Sequence, residues 1–366
     1  MGAGASVVVV GAGVVGLAVS AALRASGARV TCREAVGPMT QRSCGSTRIF
    51  RLAHGDPALV ELAAAARARF GQWRPGLVGG HGVVVTGDGA PRWAQAMRAA
   101  GAPVREVDGT AGLGLPVRPM PGPALVDPSG GVLAAGEVAE LLTERVGDAL
   151  ERRPVRSLEP AGSGVRVDGE RFDACVLAAG AGTPALAAQV GMTVPGQLSH
   201  HCRFTVTLRG ADTALDTTAG AALDTALDTA VGGGDGPPCL LDKGGAWRPG
   251  FTSYQQLTGP GRWAVGAHWP DAVSGLHQID RAAFVAEARA RTVEYVRENL
   301  PGADPEPVEE LYCDNYEGWG DGFEVRRAGG VLAVYGDNLF KLAPVLGERL
   351  AAAALDGSTP GSVRAR

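Results

Sequence analysis

Residues 6–34 read SVVVVGAGVVGLAVSAALRASGARVTCRE and carry the clearest structural pattern in the chain. Val7 to Val10 form a run of β-branched residues, which is typical of a strand buried on both faces. Apolar residues then recur with helical spacing as far as Gly27, where the helix is expected to end. A second strand follows directly, so the stretch predicts a β-α-β unit with parallel strands.

The turn between the first strand and the helix has the pattern G-x-G-x-x-G. Its first glycine permits a tight turn, its second lets the backbone approach a pyrophosphate, and its third lets the helix pack on the strand. Glu34 follows at the end of the second strand, where a carboxylate accepts hydrogen bonds from an adenosine ribose. The residues alone leave NAD and FAD open as ligands. The predicted dinucleotide site comprises Gly11, Ala12, Gly13, Val14, Gly16 and Glu34.

Composition narrows the class of protein. The chain has 366 residues, 45% of them hydrophobic and 20% charged, with a net charge of −4. This length predicts two domains or one elaborated α/β domain. No basic field would attract nucleic acid, and no apolar run reaches the roughly 18 residues that span a membrane. The first residues show no secretory pattern, so we expect a cytoplasmic protein. We also expect a monomer or weak dimer.

The cysteines predict neither a disulfide framework nor a metal site. They are scattered, with no C-x-x-C spacing and no histidine pairing, as is typical of reduced thiols in a large chain. The six are Cys32, Cys44, Cys175, Cys202, Cys239 and Cys313.

The rest of the chain alternates helix and strand signals. Amphipathic helices are predicted from about Pro57 to Trp73 and from Asp280, the expected N-cap, to Leu300. Residues 105–136 are expected to be mostly loop, and residues 201–268 rich in strand. An insertion at 211–236, in which A-L-D-T recurs, is expected at the surface. A late buried strand and a C-terminal helix end the pattern.

Several segments, in this order, resemble the D-amino acid oxidase superfamily of FAD enzymes, and most of all its monomeric sarcosine oxidase branch. Besides the glycine pattern with Glu34 they are GSTRIFRLAHG (45–55), DPSGGVL (127–133), DACVLAAGAGT (173–183), Cys313 and LAVYGDNLFKLAPVLGERLA (332–351). The resemblance implies FAD as the cofactor. It also implies an α/β fold in which a Rossmann-like FAD-binding domain is interwoven with a substrate domain built on a mixed, mainly antiparallel sheet. The first domain would comprise residues 1–75, 131–195 and 305–366, and the second residues 76–130 and 196–304.

The resemblance also implies an activity. Enzymes of this branch oxidise secondary amino or cyclic imino acids by hydride transfer to flavin N5, and O2 then reoxidises the flavin and gives H2O2. We therefore expect an amino or imino acid substrate and O2, in small-molecule biosynthesis. Two alternatives stay open, namely a flavin dehydrogenase with another acceptor and an inactive nucleotide-binding protein. The oxygen-activating lysine of the branch has no counterpart, since Ala264 takes its place in GRWAVGAHW (261–269).

The resemblance assigns roles to several residues. Arg51 and Lys341 would bind the substrate carboxylate, although surface arginines and a snorkelling lysine are the alternatives. Arg48 would share a side with Arg51 if this segment were helical. Tyr254 and Trp319 are candidate pocket walls, His268 is a further catalytic candidate, and His200 and His201 are expected to have no role in catalysis. Further predicted FAD contacts are Ser46, Thr47, Arg48, Val155, Gly180, Cys313, Gly336, Asp337, Asn338, Leu339 and Lys341.

Cys313 lies in LYCDNYEGWGDGF, residues 311–323. In the sarcosine oxidase branch a cysteine at this place, about ten residues before an aromatic, forms a thioether to the flavin 8α-methyl group, and Phe323 keeps that spacing. Attachment requires thiolate character, which the nearby Glu309, Glu310 and Asp314 oppose unless they point to solvent. A covalent flavin anchor and a relic thiol beside non-covalent FAD therefore both stay open.

Overall fold

The computed structural model describes residues 4–209, 236–245, 247–268, 280–317 and 321–364. Trp319 and all of the predicted insertion except Gly236 lie outside these residues. The described strands, in chain order, are β1 (Ser6–Val10), β2 (Arg29–Glu34), β3 (Arg48–Phe50), β4 (Val83–Thr86), β5 (Arg105–Asp108), β6 (Pro123–Asp127), β7 (Gly131–Leu133), β8 (Leu150–Arg152), β9 (Leu158–Ala161), β10 (Gly164–Val167), β11 (Glu170–Phe172), β12 (Ala174–Leu177), β13 (Gln197–Thr207), β14 (Cys239–Asp242), β15 (Thr252–Gly259), β16 (Arg262–His268), β17 (Glu309–Glu317), β18 (Gly322–Ala328), β19 (Val331–Asp337) and β20 (Val363–Arg364).

The described α-helices are α1 (Val14–Ala25), α2 (Pro57–Trp73), α3 (Ala90–Ala99), α4 (Ala135–Val146), α5 (Thr183–Ala188), α6 (Arg281–Asn299) and α7 (Ala343–Asp356). Short 3-10 turns at Gly180–Gly182 and Leu339–Leu342 follow β12 and β19. The predicted helices at Pro57–Trp73 and after Asp280 are confirmed, and Asp280 caps α6 by accepting hydrogen bonds from two backbone N–H groups. Within the described ranges, no helix is long and apolar enough to span a membrane.

The first large sheet has seven strands in the order β20-β18-β19-β12-β1-β2-β8. The five strands from β19 to β8 are parallel, and the predicted β-α-β unit is confirmed. The carboxyl ends of parallel strands share one edge of a sheet. That edge therefore gathers the glycine turn after β1, Glu34 at the end of β2, Gly180 after β12 and Asp337 at the end of β19.

Helices α1 and α7 pack closely on this sheet. A Cβ atom at Gly347 of α7 would lie 2.8 Å from the backbone of Ala18 in α1, so the two helices approach at a position where a side chain does not fit. Valines of β1, including Val7 and Val9, are fully buried in the same core. The β-branched run therefore forms a strand covered on both faces, as predicted.

The second large sheet has eight strands in the order β17-β13-β16-β15-β14-β4-β6-β5. Its pairings are antiparallel except for the parallel pair β14 and β4. Phe251, Trp263 and Tyr295 from α6 form its buried core. The α/β class with a parallel sheet and a mixed, mainly antiparallel sheet is thus confirmed.

Two details differ from the expectations. Most of residues 105–136 is loop, as predicted, but the segment also contains β5, β6 and β7, which were not predicted. The short apolar run in β6 lies among glycines and prolines, and its partner β4 comes from a distant segment, so local pattern did not reveal it. In addition, β17 pairs with β13, which places Cys313 in the second sheet. The division of the chain into domains stays a prediction.

Candidate functional site

The glycine turn after β1 adopts a conformation that side chains would obstruct. Gly11 has a φ of +102°, and a Cβ there would lie 2.4 Å from the carbonyl oxygen of Ala178. A Cβ at Gly16 would lie 1.9 Å from the carbonyl oxygen of Gly11. Both distances are far below van der Waals contact, so the turn and the close packing of α1 on β1 require glycine at these two positions.

Two polar side chains face this turn. Glu34 Oε2 accepts a hydrogen bond of 2.7 Å from the backbone N–H of Ala12. Ser43 Oγ accepts one of 3.1 Å from the N–H of Val14, the first residue of α1, and lies 3.2 Å from where a Cβ of Gly13 would be. Polar side chains therefore surround the start of α1, and the N–H groups at a helix N-terminus suit the binding of an anion.

Arg51 is the centre of a buried charged cluster. Its side chain is almost fully enclosed, with a relative exposure of 5% for the residue. Nη2 donates a hydrogen bond of 2.6 Å to Asp321 Oδ2, and Nη1 donates to the carbonyl of Ala53 and lies 3.0 Å from His54 Nδ1. The guanidinium carbon is 4.9 Å from the ring centre of Trp93. Arg51 is therefore a buried cation held by an acid, an imidazole and an aromatic face.

Lys341 belongs to the same cluster, although it lies far from Arg51 in the chain. It lies in the 3-10 turn after β19, is as buried as Arg51, and its Nζ is 3.4 Å from Asp321 Oδ1. Asn338, in the left-handed conformation at φ +55°, donates a hydrogen bond of 2.8 Å from Nδ2 to the same oxygen. The carboxylate of Asp321 therefore lies between the two cations that were predicted to bind a substrate carboxylate.

The charges of the cluster depend on one another. Burial by itself raises the pKa of Asp321, but attraction to Arg51 and Lys341 outweighs it and holds that pKa well below its usual range. Burial, and then repulsion from Arg51, lower the pKa of Lys341 to about 7. Burial, Lys341 and Arg51 together keep the pKa of His54 well below its ordinary value, so its imidazole is neutral near pH 7.

Asp127 fixes the backbone that carries Arg51. Its carboxylate accepts hydrogen bonds from the N–H groups of Leu52 and Ala53, at 2.6 and 3.0 Å. Burial raises the pKa of Asp127, and these backbone hydrogen bonds oppose the rise. Arg48 lies in β3 rather than in a helix, so it does not share a side with Arg51 by helical spacing. Strand β3 and the buried carboxylate of Asp127 therefore set the direction of the Arg51 side chain. The local sequence pattern predicted neither of them.

A second cluster surrounds Cys313. In the ladder between β13 and β17, Cys313 is paired with His201, and its Sγ lies 3.9 Å from His201 Nδ1. The Tyr254 hydroxyl is 3.3 Å from the same nitrogen, with its ring stacked on the imidazole at 5.1 Å between centres. The ring of His268 is also 5.1 Å from that of His201. His200 points to the other face of β13, where it contacts Tyr312.

The thiol of Cys313 experiences opposing influences. Burial raises its pKa, whereas the nearby Arg42 and Arg48 lower it. Glu309 and Glu310 are exposed, so their charges are screened by water. Burial raises the pKa of Tyr254 to about 12. Burial and the charges of its neighbours, His268 first, lower the pKa of His201 well below its ordinary value.

Several buried nitrogen atoms near Cys313, most of them arginine donors, have no hydrogen-bond partner within the described part of the chain. They are Arg42 Nη1, Arg203 Nε and Nη2, and His201 Nε2. Buried polar atoms in folded proteins are almost always paired, so unpaired donors indicate a ligand that accepts hydrogen bonds. Carbonyl and ring nitrogen acceptors of a flavin have this chemistry.

The two clusters are connected. Arg42 pairs with Asp337, which is the neighbour of Asn338. Arg48 donates hydrogen bonds to the carbonyls of Arg42 and Cys44, and its guanidinium carbon is 5.7 Å from the ring centre of Phe340, the neighbour of Lys341. The structure thus brings Arg51 and Lys341 together in one cluster and Tyr254, His268 and Cys313 in the other, with Arg42 and Arg48 between them.

The remaining predicted contacts are distributed around this region. The carbonyl of Ser46 accepts from the N–H of Gly136, and Thr47 Oγ1 accepts a 2.8 Å hydrogen bond from Gln256. A Cβ at Gly336 would lie 2.2 Å from the carbonyl oxygen of Gly322, so β19 and β18 require glycine there. Leu339 begins the turn that carries Lys341. Val155 packs in the core beside β1 and β12, apart from both clusters.

Sequence reasoning missed several residues of the site. Asp321 and His54 lie within quoted segments, but nothing local showed that they would meet Arg51. Lys243 directly follows the buried strand β14, and Lys341 likewise lies shortly after the buried strand β19. The other missed residues are Arg42, Ser43, Trp93, Asp127 and Arg203. Among the described residues, no three His, Cys, Asp or Glu side chains are grouped so as to hold a metal ion.

Comparison of the sequence with protein families gives one assignment. The family model of FAD-dependent oxidoreductases (DAO) matches residues 6–353, which is nearly the whole chain. No curated protein matches the sequence.

Comparison with solved structures shows the same fold. NikD, described as an unusual amino acid oxidase essential for nikkomycin biosynthesis, is 21% identical with a TM-score of 0.75, and the match covers 99% of each chain. Glycine oxidase from Geobacillus kaustophilus is 19% identical with a TM-score of 0.74, over 98% of this chain and 97% of the other. L-proline dehydrogenase from P. horikoshii is 14% identical with a TM-score of 0.70, over 98% and 95%. At these identities the likeness is one of fold.

Proposed function

The chain belongs to the family of FAD-dependent oxidoreductases, and from that premise we propose that it oxidises a secondary or cyclic amino or imino acid. The observation that supports this most is the buried pair Arg51 and Lys341, bridged by the carboxylate of Asp321. Two cations enclosed in protein need an anionic partner. Their arrangement around one carboxylate supports a site for the carboxylate of an amino acid.

The residues at the carboxyl edge of the parallel strands fit FAD. The glycine turn and the start of α1 would hold the pyrophosphate, with Ser43 beside it, and Glu34 would hold the adenosine ribose. The unpaired donors of Arg42 and Arg203 lie where the flavin ring is expected, near Cys313. When bound, FAD supplies an acceptor for a hydride from the carbon next to the substrate nitrogen.

In this proposal the protein binds and orients the substrate. Arg51 and Lys341 take the carboxylate, with the guanidinium fixing its plane. Asp321 already forms ion pairs with both cations. The substrate carboxylate therefore either displaces the Asp321 carboxylate or binds to the two cations beside it. The amine must be unprotonated to release a hydride. His54 stays neutral near pH 7 and adds no further positive charge beside it.

The overall reaction balances with O2 as the acceptor. The substrate loses a hydride from carbon and a proton from nitrogen and becomes an imine, and O2 takes up two electrons and two protons and becomes H2O2. A second candidate is a dehydrogenase with another acceptor. One observation favours it: Ala264, at the place of the oxygen-activating lysine of the sarcosine oxidase branch, is a buried apolar residue of β16. A role in small-molecule biosynthesis stays a prediction.

Peroxide formation in air tests the proposal. The FAD-loaded protein is incubated with a panel of amino acids that includes sarcosine, proline and their amines without the carboxylate. We expect H2O2 and imine product in equal amounts from at least one secondary amino acid, and none from its decarboxylated analogue. Imine formation with an artificial acceptor but without H2O2 would support the dehydrogenase. A flavin that no amino acid reduces would contradict both.

A further inference from the structure

Lys243 stands at a fixed position on the second sheet. Its backbone N–H donates a hydrogen bond to the carbonyl of Thr86, as a continuation of the parallel pair β14 and β4. The preceding Asp242 accepts hydrogen bonds from the Thr86 hydroxyl at 2.9 Å and from the N–H of Gly244 at 3.0 Å. A Cβ at Gly87 would lie 2.6 Å from the nitrogen of Gly244, so the backbone on both sides is tightly packed. The base of the lysine is therefore rigid.

The ammonium group of Lys243 faces the same aromatic ring as Arg51. Its Nζ is 5.9 Å from the ring centre of Trp93, and the Arg51 guanidinium carbon is 4.9 Å from it. Lys243 is an exposed residue at the edge of the cluster. Partial desolvation, and then repulsion from Arg51, lower its pKa. Within the described ranges no carboxylate lies within ion-pair distance of Nζ. Lys243 is thus a cation at the edge of this cluster that Asp321 and Asp337 attract without forming a direct ion pair with it.

Composition makes the position of this lysine more specific. The chain has 34 lysines and arginines, of which only Lys243 and Lys341 are lysines. Elsewhere the chain uses arginine for its positive charges, including its surface ion pairs. Lysine differs from arginine in being a compact charge on a flexible stem, suited to a single anionic group. Both lysines of the chain lie around Arg51, and this supports a shared task.

The charges of the cluster do not balance. Arg51, Lys341 and Lys243 are positive when protonated, His54 is neutral, and Asp321 is the carboxylate that pairs with the first two. Asp337 is engaged by Arg42. The buried Asp127 interacts with Arg51 and is balanced by the nearby Arg67. With these two and the Arg42–Asp337 pair set aside as neutral, three positive charges and one negative charge leave two positive charges within the described part of the site. A substrate with one carboxylate compensates one of them.

We propose that Lys243 forms a second anion subsite, and that the substrate is an amino acid with two anionic groups, such as a dicarboxylic secondary amine. The proposal rests on the proposed function, in which Arg51 and Lys341 bind the first carboxylate. Lys243 takes the second one across the face of Trp93. A role of Lys243 in the reaction with oxygen is the rival. The shared indole ring favours the substrate role, since it places Lys243 with the carboxylate-binding Arg51.

Binding of thioether acids tests the subsite without turnover. Thiodiacetate has two carboxylates and methylthioacetate has one, and in both a sulfur replaces the amine, so that neither is oxidised as an amine. Their affinities for the FAD-loaded protein are measured by calorimetry. We expect thiodiacetate to bind at least about tenfold more tightly, because a hydrogen-bonded ion pair contributes about one order of magnitude or more. In Lys243→Met the ratio of the two affinities should fall to near one.

Control variants separate the possible causes. Lys243→Arg keeps the charge and should keep a preference for the dianion. Arg105→Met removes an exposed positive charge from β5 of the same sheet and should leave the ratio as in the wild type. Equal affinities in the wild type would overturn the proposal. So would an unaltered ratio in Lys243→Met, and if reoxidation by O2 were slower in that variant, Lys243 would be assigned to the oxygen reaction.

The outcome also separates this proposal from the proposed function. If methylthioacetate binds and Arg51→Lys weakens it, the first carboxylate site stands whatever Lys243 does. If neither acid binds and no amino acid reduces the flavin, the proposed function fails, and the second subsite fails with it.

Discussion

The Asp321 carboxylate lies 2.6 Å from Arg51 Nη2, although 270 residues separate the two in the chain. Lys341 approaches the other oxygen of the same carboxylate. The Asp321 carboxylate therefore pairs with the same two cations that are proposed to bind the substrate carboxylate. A substrate carboxylate has to compete with it, so Asp321 sets how strongly the site binds anions.

Replacing Asp321 by asparagine should increase anion affinity. The substitution removes the competing charge but keeps an oxygen that accepts from Arg51. We expect methylthioacetate to bind about tenfold more tightly at pH 6, because one charge-assisted hydrogen bond is worth roughly 1.5 kcal/mol. The measurement is calorimetry on the FAD-loaded protein. The attraction of Asp321 raises the pKa of Lys341, so this pKa falls in the variant. A pH of 6 is chosen to favour the protonated ammonium of Lys341.

The matched control is Asp148→Asn, which removes an exposed carboxylate that pairs with Arg24. It should leave the affinity unchanged. Weaker binding in Asp321→Asn than in the wild type would mean that Asp321 serves to position Arg51 and Lys341 and does not compete with the ligand.

Anion binding should weaken as the pH rises through the pKa of Lys341. Its pKa is lowered to about 7, so its ammonium is present below that value and lost above it. Asp321 stays ionised and His54 stays neutral around this pH, because both pKa values lie well below their usual ranges. Methylthioacetate has no amine, so its affinity should be constant below about pH 6 and fall by up to about tenfold per unit above 7.

The pH series is checked with Lys341→Met. That variant should bind the acid more weakly at pH 6 and show little change up to pH 8. A wild-type affinity that does not vary with pH would contradict a role for the ammonium of Lys341.

Cys313 should anchor the flavin. The test is colour retained in the protein after acid precipitation, with Cys313→Ser as the variant and Cys44→Ser as a control at the other half-buried cysteine. Burial raises the pKa of the Cys313 thiol overall and so works against the thiolate that attachment requires, while Arg42 and Arg48 offset part of this rise. The position of these two arginines beside the thiol supports attachment. We expect yellow pellets from the wild type and the control, and a colourless one from Cys313→Ser. A colourless wild-type pellet would assign non-covalent FAD.

Gly16→Ala should prevent FAD binding. The new methyl group would lie 1.9 Å from the carbonyl oxygen of Gly11, so α1 has to move away from β1. Overpacking of this kind costs about 1–3 kcal/mol, and the displaced helix start no longer faces the pyrophosphate. The flavin content of the purified variant and its thermal midpoint report this. Gly71→Ala, on α2 with open space around it, should keep the flavin and a midpoint no lower than the wild type.

The parts of the site that the sequence predicts are those encoded by local pattern. A valine run, three spaced glycines and an acid at the end of the next strand define the turn at Gly11 and its contact with Glu34, because each lies within one β-α-β unit. The family resemblance added Lys341 after a buried strand. For these elements local sequence and final geometry agree.

The missed parts depend on contacts between distant segments. Asp321 meets Arg51 only because β18 and β3 are brought together by the tertiary structure. Lys243, directly after β14, reaches Trp93, which lies on α3. Neither pairing leaves a local sequence signal, since hydrophobic period and turn residues describe each segment separately. The strands β5 and β6 were missed for the same reason.

Anaerobic reduction of the flavin is the decisive test of whether the protein oxidises amino acids through a carboxylate site at Arg51. The FAD-loaded protein is mixed, without oxygen, with secondary amino acids and with their decarboxylated amines, and the visible absorbance of the flavin is followed over time. We expect bleaching by at least one amino acid and no bleaching by its amine. In Arg51→Lys the rate should be roughly 100-fold lower, because lysine cannot make the paired contact of a guanidinium. Bleaching at equal rates by acid and amine, or an unchanged rate in Arg51→Lys, would contradict a carboxylate site at Arg51.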